Sequence, residues 1–298
     1  MLDKFKIGHE CDSINKTGVT VILANGGAVA GVSVRGSAPA TRETDLLKPE
    51  KMLKKIDAVV LSGGSSFGLE SCAGVMDFLF EQNIGYDAGE YKVPIVSGAC
   101  LYDLEAGRFA YPDKSMGYLA AQKAKTNNFE IGRIGAGTGA TVGKILGMKS
   151  AQPGGLGVAV AKSGKVEVGV VIAVNPLGDV VKDGKIIAGA RLGNDFLNTT
   201  QYLLNENKVQ INPQNTMIGC VITNAILNKS EANQLADIAH DGIAKTIEPS
   251  HTLYDGDAMF AMASCDQKVD FITMCALVPY LTKKAILSVF DNIEEEEE

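Results

Sequence analysis

The sequence has no excess of basic residues: 28 Lys and Arg stand against 35 Asp and Glu, for a formal net charge of -7. A nucleic-acid partner would require a basic stripe, so none is expected. No apolar run approaches the ~20 residues of a membrane-spanning helix, so no membrane partner is expected either. The opening stretch MLDKFKIGHECD lacks the basic and apolar regions of a signal peptide, which makes a cytoplasmic protein the expectation. The six cysteines, Cys11, Cys72, Cys100, Cys220, Cys265 and Cys275, include no CxxC, which suits reduced thiols buried as small hydrophobes. The three histidines, His9, His240 and His251, lie far apart, and no cluster has metal-ligand spacing. Neither a metal nor a cofactor is expected.

What is present is a chain of 298 residues with 46% hydrophobic content, enough to fill a sizeable core. The acidic run EEEEE at the end reads as a solvated, frayed terminus. GVTVILA (18–24) and IDAVVLS (56–62) read as strands, and residues 66–83 carry apolar positions at helical spacing. In the middle, GVAVAKSGKVEVGVVIAV and GDVVKDGKIIAG place Ser-Gly and Asp-Gly between alternating apolar runs, the chemistry of two-residue hairpins. Residues 193–207 read as a helix, 217–226 as a strand, 229–247 as an amphipathic helix, and FITMCALVPYLTKKAILSVF as a last helix. No repeat or linker divides the chain. The expectation is one α+β domain over 1–298, with antiparallel pairing and glycine-rich turns.

The stretch GAGTGATVGK (135–144) looks like a phosphate loop. It misses that pattern at two positions, where Thr138 replaces a glycine and Ile145 replaces the hydroxyl residue after the lysine. A dinucleotide fingerprint on Gly135, Gly137 and Ala140 would need a strand before it, and KTNNFEIGRI is a poor strand. The alternative is a tight turn packed against neighbouring backbone. Elsewhere, Asn215-Thr216 stands at the mouth of the apolar strand MIGCVITNA. Thr216 reads either as a strand-entry residue or as a hydroxyl that cuts the bond before it and then uses its own freed α-amine as base. Such chemistry needs an oxyanion donor, a cation and carboxylates. Asn175 in AVNPLGD, Lys144 after the glycine loop, and Asp255 and Asp257 in HTLYDGDAMF offer these types, although each also reads as an ordinary turn residue. Arg35 and Arg42 read as a site rim, an oligomer contact or a surface salt bridge.

Ordered motifs over nearly the whole chain carry a family resemblance. They are GAVAGVSVRGSAPATRETDLL, DAVVLSGGSSFGLESCAGVM, VPIVSGACLYDLEAGRFAYPDKSMG, GAGTGATVGK, VNPLG, NTMIGCVITNA and HTLYDGDAMFA. The chain resembles the DmpA-type aminopeptidases (L-aminopeptidase/D-esterase and β-peptidyl aminopeptidases), especially the nylon hydrolases that cut 6-aminohexanoate oligomers. The resemblance implies a precursor that cleaves itself between Asn215 and Thr216, giving a large chain of 1–215 and a small chain of 216–298. It implies Thr216 as nucleophile, Asp255 and Asp257 as the paired aspartates, Lys144 and Asn175 in their motifs, and Tyr102 in the YD motif. The nylon hydrolases carry NTT where this chain has NTM, so the nucleophile is kept and its successor differs. The fold implied is a four-layer αββα sandwich with antiparallel sheets between helix layers, usually assembled as homotetramers.

The mechanism implied is amide hydrolysis through a Thr216 acyl-enzyme, with Asn175 on the oxyanion and Lys144, held by Asp255 and Asp257, tuning the amine. The substrates implied are short peptides, amino-acid amides, β-peptides or 6-aminohexanoate oligomers, among which the sequence does not choose. Two alternatives stand beside this reading. One is an acyltransferase of the ornithine acetyltransferase kind, and the other is a nucleotide-binding regulatory module built on the glycine loop.

Overall fold

The computed structural model describes residues 1–205 and 215–291. The chain opens with a hairpin of β1 (Phe5–Asp12) and β2 (Thr17–Val34), paired antiparallel from Phe5↔Ala24 to Asp12↔Thr17. The 18-residue β2 is longer than the sequence run that announces it. It then follows β3 (Ala40–Arg42), β4 (Ile56–Ser62), helix α1 (Ser71–Glu81), β5 (Val96–Cys100) and helix α2 (Lys114–Gln122). The middle hairpin is β6 (Gly155–Ser163) with β7 (Val166–Val174), and the last unit is β8 (Ile218–Ala225), α3 (Lys229–Ala244), β9 (Ala258–Gln267) and α4 (Phe271–Leu287). The nine strands form one hydrogen-bonded path in the order β6-β7-β8-β9-β2-β4-β5-β3, with β1 added beside β2.

β2 serves two neighbourhoods. Its first half pairs with β1 and β4, and its second half pairs with β9 from Val29↔Ala263 to Val34↔Ala258. Between them Gly26 and Gly27 both take positive φ, +85° and +73°, a left-handed conformation that costs other residues about 1–2 kcal/mol each. The ladder with β4 skips there, from Leu23↔Ala58 to Ala28↔Ile56.

The pairing is mixed, which corrects the expectation of antiparallel sheets. β4 and β5 run parallel, as do β8 and β9. A parallel pair needs a crossover, and α1 and α3 supply one each, as βαβ units. The hairpins expected in the middle do form, and Asp183 and Gly184 both take positive φ between Asp179–Lys182 and Lys185–Ala188, as a tight hairpin turn requires. The helix expected over 193–207 is shorter than its pattern: Arg191–Leu192 and Asp195–Phe196 pair first, and only Thr199–Leu204 is helical, capped by Asn198. Residues 206 and 207 of that expectation, the INPQ segment before Asn215, and the acidic end of the chain lie outside the described residues.

Strands here are buried on both faces, so they read as continuous apolar runs. Val19, Val21, Leu23 and Val60 pack with Cys72, Val75 and Leu79 of α1 and Ala120 and Ala121 of α2. Val170, Ile172, Val221 and Met259 pack with Leu235, Ala239 and Ile243 of α3 and Val278 and Leu281 of α4. The alternate residues Ile22, Val59 and Leu61 share a third cluster with Ile218, Ile222, Phe260 and Met262. The start of α3 is fixed by a capping box between Asn228 and Glu231. Among the described residues no helix is long and apolar enough to cross a membrane.

The contact of α3 with β2 depends on a missing side chain. A Cβ on Gly31 would lie 2.2 Å from the backbone N of Asn233, whose Oδ1 accepts the Val32 N–H at 3.2 Å. Gly31→Ala is therefore expected to destabilise the fold by about 2 kcal/mol or more, as overpacking against backbone does. Urea unfolding measures this, and an unchanged midpoint would show that α3 is not seated on β2.

Candidate active site

The sheet order brings the sequence-predicted residues together. β8 starts two residues after Thr216, and β9 starts one residue after Asp257. Because these strands are parallel neighbours, with Ile218 opposite Ala258, their entering segments also lie side by side. Asn215 bridges to Asp255, and the Ala258 N–H donates to the Met217 carbonyl at 2.9 Å. On the other flank β7 is antiparallel to β8, with Ala173 opposite Ile218, so β7 ends beside Thr216 and delivers Asn175 there. The Thr216 N–H donates to the Asn175 carbonyl at 2.9 Å.

Thr216 is buried, and its hydroxyl donates to the carbonyl oxygen of Asn215. The same oxygen accepts the Gly256 N–H at 2.9 Å. Gly256 has no room for a side chain, since a Cβ there would stand 2.5 Å from the Ala38 carbonyl oxygen and 3.0 Å from the Thr216 hydroxyl. The peptide bond between Asn215 and Thr216 is thus gripped on both sides: Gly256 holds its carbonyl and Asn175 holds its N–H.

Lys144 reaches the same place, but not by the route expected. Among the described residues its ammonium makes no ion pair within 4.0 Å, so Asp255 and Asp257 do not hold it directly. It donates instead to the Thr141 carbonyl at 2.6 Å, the Asn175 carbonyl at 3.0 Å and the Asn175 Oδ1 at 3.1 Å. Three acceptors match the three hydrogens of an ammonium group. Burial pulls Lys144 down to about 7, against the charges of Asp255 and Asp257, which favour its protonated form. Asn175 is fully buried; its Oδ1 also accepts the Thr141 N–H at 2.9 Å, and its Nδ2 donates to the Tyr102 carbonyl at 3.1 Å. Tyr102 therefore meets the cluster through its backbone, while its hydroxyl donates to Glu105 at 3.2 Å.

The two aspartates have different surroundings. Asp255 Oδ2 accepts the Thr252 N–H at 2.7 Å and the Thr252 hydroxyl at 2.6 Å, while Oδ1 is buried without a partner among the described residues. Burial first, then the charge of Asp257, raises Asp255 to about 6. Asp257 Oδ1 accepts the Met217 N–H at 2.6 Å, and Oδ2 lies 2.6 Å from His251 Nδ1. Arg35 pairs with Asp237 and Asp241 of α3, and Arg42 contacts the Met76 sulfur.

The glycine stretch forms the tight turn, and no helix follows it directly. Gly135–Gly137 is a short 3-10 turn, followed by the two-residue strand Thr141–Val142. Its N–H groups are already used: Gly135 donates to the Cys11 sulfur at 3.0 Å, and Ala136 to the Thr20 hydroxyl at 3.1 Å. A Cβ on Gly137 would lie 2.0 Å from the backbone N of Leu156. This loop packs protein, and its lysine turns to Asn175.

Sequence reasoning did not single out His251, Gly256, Thr141 or Asp103. Asp103 adjoins Tyr102 and accepts the Gly64 N–H at 2.6 Å. A Cβ on Gly63 or Gly139 would fall 2.2 or 2.8 Å from its Oδ2, so two glycine loops close over this carboxyl group. The signals were present in the YD and HTLYDGD motifs, but only the fold says what these side chains touch.

The comparisons with known proteins agree with this architecture. An uncharacterized aminopeptidase of Mycobacterium leprae is 38% identical over 268 residues, covering 83% of this chain and 70% of the relative. The 6-aminohexanoate-oligomer endohydrolase of Paenarthrobacter ureafaciens is 32% identical over 256 residues, covering 83% of this chain and 69% of the relative. Among solved structures, an L-aminopeptidase D-Ala-esterase/amidase from Ochrobactrum anthropi, described as a new variant among the Ntn hydrolase fold, aligns with a TM-score of 0.73 at 16% identity. That alignment covers 96% of this chain and 84% of that one. A Burkholderia sp. beta-aminopeptidase aligns with a TM-score of 0.68 at 17% identity, covering 96% and 83%. Fold and relatives together define an enzyme of the peptidase or amidohydrolase type. The chain belongs to Peptidase family S58, which matches residues 4–296.

Asp103 gives a test of how tightly this region is closed. Burial raises its carboxyl group from the ordinary 3.8 to about 6, against the hydrogen bond from the Gly64 N–H. The folded state then binds more protons than the unfolded state between those values, so this group costs stability as pH rises through that window. Asp103→Asn removes the charge and keeps an acceptor. Relative to wild type, the variant should gain about 3 kcal/mol between about pH 4 and pH 8 in unfolding measurements. A difference that does not change with pH would mean that Asp103 is well solvated.

Proposed function

We propose that this protein is a self-processing N-terminal-nucleophile amide hydrolase, cleaved between Asn215 and Thr216 into chains 1–215 and 216–298. The observation that carries the reading is the Thr216 hydroxyl placed on the carbonyl of the residue before it, whose oxygen also takes the Gly256 N–H. In the first step Thr216 Oγ attacks the Asn215 carbonyl carbon, and the Gly256 N–H stabilises the oxygen as it becomes negative. The C–N bond breaks and the hydroxyl proton passes to nitrogen, leaving an ester on Thr216 Oγ and a free α-amine. Water then hydrolyses the ester, which yields the Asn215 carboxylate and restores the hydroxyl.

The freed amine next serves as base for the same hydroxyl toward a substrate amide. Thr216 Oγ attacks the substrate carbonyl, the amine takes its proton and passes it to the leaving nitrogen, and water releases the acyl group. Asn175, hydrogen-bonded beside Thr216, supplies an oxyanion donor through Nδ2. The Lys144 charge lowers the proton affinity of the amine, and the aspartates act on Lys144 through their field. Tyr102 holds Asn175 by its carbonyl. The names of the relatives, an aminopeptidase and a 6-aminohexanoate-oligomer endohydrolase, support short peptides and 6-aminohexanoate oligomers as substrate classes, to which the proposal adds amino-acid amides. The three packed clusters suit a four-layer αββα sandwich, with α1 and α2 outside one half of the strands and α3 and α4 outside the other. A cytoplasmic homotetramer of cleaved units completes the proposal.

Intact-mass measurement tests the processing step: purified wild type should give two chains, and Thr216→Ala one. A wild-type chain that stays whole on long incubation sinks the proposal, and a Thr216→Ala protein that still splits moves the nucleophile elsewhere. For turnover, a screen of amino-acid p-nitroanilides and 6-aminohexanoate oligomers identifies the substrate class. Asn175→Ala should lower kcat by about 10²- to 10³-fold, the usual loss for one oxyanion donor.

A further inference from the structure

The proposed steps leave one close contact unused, the pair of His251 with Asp257. A carboxylate accepts hydrogen bonds, so at 2.6 Å the hydrogen is carried by His251 Nδ1. The ring of His251 meets that of His240 edge to face, with centroids 4.8 Å apart at 74°. His240 Nε2 lies 3.0 Å from the Ser33 carbonyl, so its hydrogen is spent there. Burial pushes His240 down to about 4, which leaves it neutral near pH 7. His251 Nε2 is buried without a partner among the described residues.

We infer that His251 is a positioning residue for Thr216, which donates Nδ1–H to Asp257 and so keeps that carboxyl group fixed on the Met217 N–H. The inference rests on the reading of Thr216 as nucleophile. Two buried carboxyl groups flanking one glycine make each other costlier to ionise, so the donors that each receives matter. The two donor sets differ. Asp257 has a donor on each oxygen, the Met217 N–H on Oδ1 and the His251 Nδ1–H on Oδ2. Asp255 takes both of its Thr252 bonds on Oδ2, and the Leu177 N–H also favours its charged form. Held by two donors, Asp257 anchors the peptide group that follows Thr216, and the hydroxyl keeps its place on the Asn215 carbonyl.

Charged and titratable groups reach the surroundings of His251 and Asp257 from several segments. Asp255 and Asp257 come from its own loop, His240 with Asp237 and Asp241 from α3, Arg35 from the segment after β2, and Lys144 from the glycine loop. Arg35 is engaged by Asp237 at 3.0 Å and Asp241 at 3.7 Å, His240 by Ser33, and Lys144 by its three oxygen acceptors. Among the described residues, His251 supplies the side-chain hydrogen bond that Asp257 receives.

The test uses full chains made by cell-free synthesis and pulse-labelled, so that cleavage is timed from the intact protein. His251→Leu removes the donor, whereas His251→Asn places an amide N–H where Nδ1–H was and stays neutral at every pH. Cleavage of His251→Leu should be about tenfold slower or more, the loss that a hydrogen bond of about 1.4 kcal/mol gives. His251→Asn should recover most of that rate near pH 8, because its amide restores a donor to Asp257. Wild-type rates in both variants, with Thr216→Ala still uncut, overturn the role of His251 and leave the Thr216 reading standing. An uncut wild type overturns that reading and this role with it.

Nitrogen-proton NMR on uncleavable Thr216→Ala protein reads the pair without any cleavage. With three histidines in the sequence, the signal lost in His251→Asn assigns itself. His251 should show an Nδ1-bound proton that disappears with Asp257→Asn. An Nε2–H tautomer indifferent to Asp257→Asn refutes the pairing.

Discussion

The parallel pairing of β8 with β9 is the constraint on which the rest of the site depends. It places two chain entries next to each other, and the register of Ile218 opposite Ala258 leaves Thr216 facing the Asp255–Asp257 turn. Every contact at the Asn215–Thr216 bond follows from that register or from the antiparallel partner β7 on the other side. A slip of one residue would turn each side chain to the opposite face and exchange the inner cluster for the outer one. The double burial of these strands resists such a slip, because Phe260 and Met262 face one core while Met259 and Ala261 face the other.

Electrostatics at the site follow from the same closure. Lys144, Asp255 and Asp257 are nearly inaccessible to solvent, and each would be costly alone. They are tolerated because oxygen acceptors take all three Lys144 hydrogens, while Thr252, Met217 and His251 supply hydrogen bonds to the carboxyl groups. Burial moves lysine and aspartate in opposite directions, Lys144 down to about 7 and Asp255 up to about 6.

Much of this was legible in the sequence where the signal is local. The apolar run at 56–62, the Asp183-Gly184 turn and the periodic helix after Asn228 appear where pattern and turn chemistry place them, while the first middle hairpin forms one residue later than its Ser-Gly signal, with Ser163 paired to Val166 and Gly164-Lys165 at the turn. The parallel pairs were not legible, because hairpin signals report neighbours in sequence and βαβ crossovers join strands across a helix. The short helix at Thr199–Leu204 departs from its pattern because the preceding residues pair as strands, with Arg191 packed over Phe196. The candidate site was legible as residue types carried by a resemblance, but its wiring was not. Nothing in the spacing of Lys144 says that it binds Asn175 instead of an aspartate, and His251 lies six residues from the aspartate it touches, with a positive φ that bends it back.

The start of β8 has one more consequence. Its ladder with β7 and β9 begins at Ile218, and the inter-strand bonds nearest to Asn215 come from the neighbouring segments at Asn175, Gly256 and Ala258. A nick just before Thr216 would therefore leave every rung of the sheet in place. The strand would acquire a terminus without an unravelled edge.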